Sequence, residues 1–580
     1  MKFGPLSLVG FILVSACATH APNRTEARNA QLPAPITAAP AEAAPQAAYP
    51  NAALTADLLF ELLVADIAAQ RGQYPVAVEA YERAARTTKD PRLAERAATI
   101  ALYAKDYAKA VAAGEQWVAL QPGSTEAHEV AADALMRLQR PDEAAGHFAQ
   151  ILELSSPQGL AHSYLKIAAA LGRQSDRDAA VKIMQSLVER HPNVRESHYA
   201  LAHLAVRTSD LDLAEAAIDR ALALSPDWED GAVFKARVLV SKKDAGAAKA
   251  FFERFLRAHP GALSLRMNYA RYLIDLKDWD KARAEFKRVT EAAPQDGDAA
   301  YAVGLLALQA NRHAEAEQYL RRTIDLQPDN DQARLYLGQM AEQLKRYDDA
   351  MRWYKDVDDG QLYIEAQARV AMVLAAKGDL KAAREHLHSL QPDSPQQRVQ
   401  LVLTEDQILR DARMYKESLA VLTRALEATP DEGDLLYARA LVAEKLDLIP
   451  MHESDLRRVL QKDAKNAHAL NALGYTLADR TTRYQEALDL IQQALAVKPD
   501  DAFILDSMGW VQYRLGNYDE AVKYLKRAFS IRADAEISAH LGEVLWMMGE
   551  RNAAEDVWRA ALRDTPDNEA LLTVIKKFKQ

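Results

Sequence analysis

The 580-residue chain contains a single cysteine, Cys17. That excludes a disulfide within the chain and a cysteine-based metal cage. Positive charge is also short: a formal net charge of −10 and a pI near 5.9 leave no basic stripe to neutralise phosphates, which sets nucleic acid aside as a partner. There is no Gly-rich phosphate loop, no nucleophile elbow and no strand-rich segment. His198 and His203 lie five apart and His386 and His388 two apart, so neither pair has the i, i+4 spacing with a nearby acid that helical zinc sites use. The expectation is a chain that is not an enzyme and carries no metal or cofactor.

What the chain does have is a period. Prolines fall at Pro192, Pro226, Pro260, Pro294 and Pro328, each 34 residues from the last. An alanine stands 12 residues before each one: Ala180, Ala214, Ala248, Ala282 and Ala316. A small residue stands 24 before: Ala168, Ala202, Ala236, Ala270 and Gly304. Punctuation at a fixed phase of 34 is the mark of stacked helical hairpins. Each hairpin buries its apolar face only against its neighbours, so the expected fold is an all-α solenoid. A larger side chain at the crossing of the two helices would overpack it. Proline ends the second helix, because it lacks an N–H and clashes with the preceding turn. Asp227, Asp329-Asn330, Asp431, Asp500-Asp501 and Asp567-Asn568 are then expected to cap the helix that follows.

Outside this stretch the pattern continues less evenly. Gly72 to Ala84 shows the first hairpin, and Ala110 and Ala145 precede Pro122 and Pro157. Between 356 and 400 the turns shift, through Asp356-Val357-Asp358-Asp359-Gly360 and Pro392-Asp393-Ser394-Pro395, which places an irregular joint there. The last hairpins are the clearest. They run Gly474, Ala487, Ala494, Pro499; then Gly509, Ala521, Ala528, Arg532; then Gly542, Ala554, Ala561, Pro566. Small residue, alanine, alanine and proline at these spacings resemble the tetratricopeptide pattern. The array is expected over 54–566, about fourteen or fifteen hairpins of 34 residues, with a capping helix at 567–580.

The amino terminus differs. Met1-Lys2 gives a positive start, Phe3 to Val14 is mostly apolar, and small residues lead to Cys17. This is the layout of a secretory signal, and it is too short to span a bilayer. Val14-Ser15-Ala16-Cys17 resembles a bacterial lipobox, which implies a signal peptide over 1–16 and lipidation of Cys17. Ala18 in the following position implies sorting to the outer membrane, facing the periplasm. Residues 18–53 are rich in Ala and Pro and nearly empty of large apolar side chains. Such a composition cannot offset its ordering entropy, so an extended tether is expected. Its reach is roughly 120 Å at about 3.3 Å per residue.

The tetratricopeptide resemblance also implies where ligands lie. In that family the first helices line the inner wall, and the pattern points to His468, Asn471, Tyr475 and Ala478 around Gly474. It points to Phe503, Asp506, Trp510 and Tyr513 around Gly509, and to Glu543 and Trp546 around Gly542. This aromatic group either grips an extended protein segment or packs between hairpins, since helix phase is set only to within one position. On the first reading it stands partly open in the free protein, with Asp506 and Glu543 favouring basic residues of the partner. The array opens with Leu58-Leu59-Phe60-Glu61-Leu62-Leu63-Val64-Ala65-Asp66-Ile67-Ala68-Ala69-Gln70-Arg71-Gly72, followed by Asp90-Pro91-Arg92-Leu93-Ala94-Glu95-Arg96-Ala97. With the lipobox and tether, it resembles the large tetratricopeptide outer-membrane lipoproteins of proteobacteria. That resemblance implies an adaptor that binds and activates a periplasmic carboxyl-terminal processing protease and brings it cell-wall hydrolases. The alternative is an envelope-assembly, pilus or secretion scaffold without a protease.

Overall fold

The structure, a computed structural model, describes residue 50, residues 52–358 and residues 360–578. The expected signal peptide, the expected lipidation site Cys17 and nearly all of the expected tether lie outside the described residues. Among the described residues there are 31 helices and no strand. They form fifteen antiparallel hairpins and one closing helix, Glu569–Phe578. Among the described residues no helix is long and apolar enough to cross a membrane. The chain divides into two compact units, one ending at Gln327 and the other beginning at Pro328.

The hairpin Leu263–Asp275 and Trp279–Ala292 shows how the sequence sets the fold. Ala270 and Ala282 are both fully buried where the helices cross. Lys277 takes a left-handed φ of 60°, and the amide of Asp278 donates to the carbonyl of Leu273 at 2.9 Å. Together these end the first helix in a Schellman pattern. Most other hairpins turn at the same left-handed position, with Lys105, Gln139, Ser209, Lys243, Asn311, Lys345, Arg413 or Asp447, and with Gly72, Gly378, Gly516 or Gly549.

The close approach expected between the small residue and the alanine involves a third group. A Cβ on Gly509 would lie 3.1 Å from the carbonyl oxygen of Ala521 and 2.5 Å from Leu525 Cγ. On Gly542 it would lie 2.0 Å from Trp558 Nε1. The alanine lets the backbones approach, and the large side chain one turn later fills the space over the small residue.

Three capping expectations hold: Asn330, Asp501 and Asn568 accept from Ala333, Ile504 and Leu571 amides at 3.0, 3.2 and 3.0 Å. Two do not. Trp228 rather than Asp227 occupies the cap position before Glu229–Ser241, and Glu432 rather than Asp431 the one before Gly433–Lys445. Neither side chain makes a capping bond, and Asp431 instead meets Arg458 at 2.7 Å.

Three helices in and beside the irregular stretch depart from the usual 13 or 14 residues, whereas Tyr363–Ala376 within it keeps 14. Tyr347–Lys355 has 9, Leu380–Ser389 has 10 and Pro395–Asp411 has 17. The boundary between compact units falls earlier, at Pro328.

Candidate protein-binding surface

Several successive first helices pack directly on one another, among them 160–172 on 195–207, 229–241 on 263–275, 467–480 on 502–514 and 502–514 on 535–547. The inner-wall residues expected from the sequence lie on three first helices packed in this way, 467–480, 502–514 and 535–547. The structure brings Tyr475, Asp506 and Trp510 together around a residue that sequence reasoning missed, His540. Its ring stacks on Trp510 with centroids 4.3 Å apart, and its Nδ1 lies 2.9 Å from Asp506 Oδ2. The Tyr475 hydroxyl lies 3.4 Å from its Nε2. One imidazole thus joins three successive first helices, 467–480, 502–514 and 535–547.

This geometry corrects the expected exposure. Trp510 is only 7% exposed, and its indole N–H donates to Asp479 at 3.3 Å. Asp506 and Glu543 are buried. The Asp506 carboxylate is taken by His540, and Glu543 accepts from the Tyr513 hydroxyl at 3.2 Å and from Lys577 at 2.9 Å. The aromatics therefore pack between hairpins. They do so because the residue two before Gly542 points at the preceding first helix, where the ring of His540 fills the gap beside Trp510. His540 stands 34 residues after Asp506, an acid and a base one period apart, and that was the legible signal.

Burial alone would lower the basicity of His540. The Asp506 carboxylate, then Glu536 and Glu543, outweigh it and hold its pKa above the ordinary 6.5. Burial pushes the Tyr475 hydroxyl well above its ordinary range, with Asp479 and Asp506 adding to the effect.

The remaining expected residues are more open. His468 is exposed, with its Nε2 2.8 Å from Lys498 Nζ. Asn471 is half-buried, and its side-chain carbonyl oxygen is buried without a hydrogen-bond partner. Phe503 is half-buried under the guanidinium of Arg532, 5.0 Å from the ring centre. Trp546 is half-buried and stacks on Trp558 at 5.7 Å, with Phe578 of the closing helix at 5.9 Å. Leu571 of that helix is fully buried. The amino-terminal unit has its own ring group, in which His203 lies 4.5 Å from Tyr199 and 4.4 Å from Phe234. Burial, assisted by Arg237, brings the His203 pKa down to about 4 and keeps that ring neutral.

Sequence profiles of the tetratricopeptide repeat match residues 62–125, 95–159, 165–227, 239–306, 301–363, 466–534 and 507–569. The chain belongs to the tetratricopeptide-repeat family, whose members serve as protein-interaction scaffolds. It is 41% identical over 194 residues to a TPR repeat-containing protein of Pseudomonas aeruginosa, a match covering 33% of each chain. The match thus spans a third of that relative's length. Over 69 residues it is 35% identical to the human cell division cycle protein 16 homolog, covering 12% of this chain and 11% of that one. Among solved structures, the Cut9–Hcn1 hetero-tetramer of the APC/C aligns over 90% of this chain and 97% of its own, at 16% identity and a TM-score of 0.32. A thermophilic TPR protein of Thermus thermophilus aligns over 31% of this chain and 97% of its own, at 23% identity and a TM-score of 0.29.

Proposed function

We propose that this protein is a lipid-anchored adaptor of the outer membrane that faces the periplasm. It binds a carboxyl-terminal processing protease there and presents protein substrates such as cell-wall hydrolases. The observation that carries the scaffold reading is the direct packing of neighbouring first helices, as in 467–480 on 502–514 and 502–514 on 535–547. Helices packed in this way offer side chains at regular intervals to an extended partner. The adaptor reading is supported by Cys17 in Val14-Ser15-Ala16-Cys17, the Ala/Pro-rich stretch after it and the opening sequence Leu58 to Gly72.

Reconstitution tests it. The purified chain is mixed with a carboxyl-terminal processing protease and a wall hydrolase from the same organism. A complex on size-exclusion chromatography, with faster cleavage of the hydrolase, is the expected result. No complex and an unchanged cleavage rate would remove the adaptor reading. Capture of secretin or pilus components in its place would point to an assembly scaffold.

A further inference from the structure

The helix Ala56–Gln70 carries an apolar stripe that no described part of the chain covers. Phe60 is 68% exposed, Leu63 50% and Ile67 46%, with Leu59 beside them at 44%. Residues three, four and seven apart share one helix face. Counted from the buried Ala65, where the first hairpin crosses, Phe60, Leu63 and Ile67 stand at −5, −2 and +2.

Interior hairpins show what these offsets are for. Around Gly509 they are Ile504, Ser507 and Val511, exposed by 1%, 4% and 0%. Around Gly542 they are Ile537, His540 and Val544, and the two aliphatic residues are fully buried. Their direction is fixed by their contacts. His540 meets Asp506 and Trp510 of the preceding first helix, and Ile537 clusters with Ala502, Leu505 and Ala528 of the preceding hairpin. Phe60, Leu63 and Ile67 are therefore the surface that would receive a preceding hairpin. An open apolar face with the register of a buried one marks an interaction site.

We infer that this end face docks an amphipathic helix of a partner protein. The partner helix joins the stack in the place of a preceding hairpin, with an apolar stripe against Phe60, Leu63 and Ile67 and basic residues along its rim. The helical form follows from continuity with the interface that repeats along the chain. The basic rim follows from charge: Ala56–Gln70 has no Lys or Arg, and while Glu61 is paired with Arg83 at 3.3 Å and Asp66 with Arg96 at 3.5 Å, Asp57 at the edge of the stripe stands open. A second copy placed face to face would bring no Lys or Arg of this helix to Asp57. A bilayer surface is a poor match, since helices that lie in it carry Lys and Arg on the polar face. The stretch between Cys17 and Asn51 offers only Leu32, Ile36 and Tyr49 as large apolar residues, interrupted by prolines. This docking does not depend on which clients the inner wall holds or on a protease.

The test uses the full chain and a labelled synthetic helix of about eighteen residues, with Leu and Ile along one stripe and Lys and Arg beside it. Saturable binding is expected, at least about tenfold weaker for the Phe60→Ser/Ile67→Ser variant and for Leu63→Asp, with melting unchanged because these side chains are open. A peptide with Glu in place of Lys and Arg should bind more weakly. Equal binding by the variants, no binding by the wild type, or preference for the Glu peptide would overturn the proposal. So would a fall in melting, which would show the stripe packed within the chain. Sedimentation showing a dimer lost in Phe60→Ser/Ile67→Ser would assign the face to a second copy. Variant-sensitive pelleting with phosphatidylethanolamine/phosphatidylglycerol vesicles would assign it to lipid.

Discussion

A neutral imidazole beside Asp506 would lose most of the attraction that holds it there, so His540 ties the packing of three hairpins to pH. Its folded pKa lies above 6.5, the value expected when unfolded. The stabilisation from the protonated ring is thus fully present below pH 6.5 and is lost as pH rises through the folded pKa. In thermal melts, wild type should exceed His540→Gln by most near pH 6, and the gap should narrow steadily towards pH 9. A gap that is constant, or that widens with pH, would show that the ring is neutral and held by stacking alone. Tyr475, Asp506 and Trp510 were legible in the sequence as one group, since their spacing places them on neighbouring first helices. Their burial was not legible. It depends on His540, which lies one position off the inner-wall phase and turns an apparent groove into a junction.

At the scale of the helix pair, small residues set the distance of closest approach. Ala282 is fully buried between Ala270 and the rest of its hairpin. Leucine there adds three carbons to a filled crossing, and overpacking of this kind costs about 1–3 kcal/mol. Ala282→Leu should lower the melting temperature and increase protease sensitivity around 263–292. Unchanged melting and digestion would contradict the packing described. The period of 34 made these alanines visible without coordinates, because it reports a contact repeated many times. Capping was less visible. The cap stands two residues after the proline at Asn330 and Asp501 and equally at Trp228 and Glu432, so Asp227 and Asp431, one residue after theirs, fall one position too early. The Trp228 ring is held by Arg195, whose guanidinium lies 4.4 Å from the ring centre, and by Tyr199 at 4.9 Å. That contact depends on the neighbouring hairpin, so local sequence does not announce it.

For the whole molecule, the amino-terminal reading stands on sequence alone. Several acyl chains on Cys17, each methylene worth about 0.8 kcal/mol when buried, would hold the protein on its membrane almost permanently. Cys17→Ser should move it to the soluble fraction or leave a longer precursor, and lipid labelling should disappear. Unaltered fractionation with unaltered labelling would refute the anchor. The repeated junction between hairpins has another consequence. Side-chain bonds that link hairpins mostly join residues about one period apart, as in Lys242–Asp212, Arg322–Pro294 and Arg457–Glu486. Length is then an adjustable property of this chain, one that evolution can change in whole steps without redesigning a core. Removing 262–295, which joins Gly261 to the capping Asp296, excises one full period and should leave a folded, cooperatively melting protein shorter by one hairpin. Removing half as much should not, because the next helix would then meet its neighbour half a period out of phase.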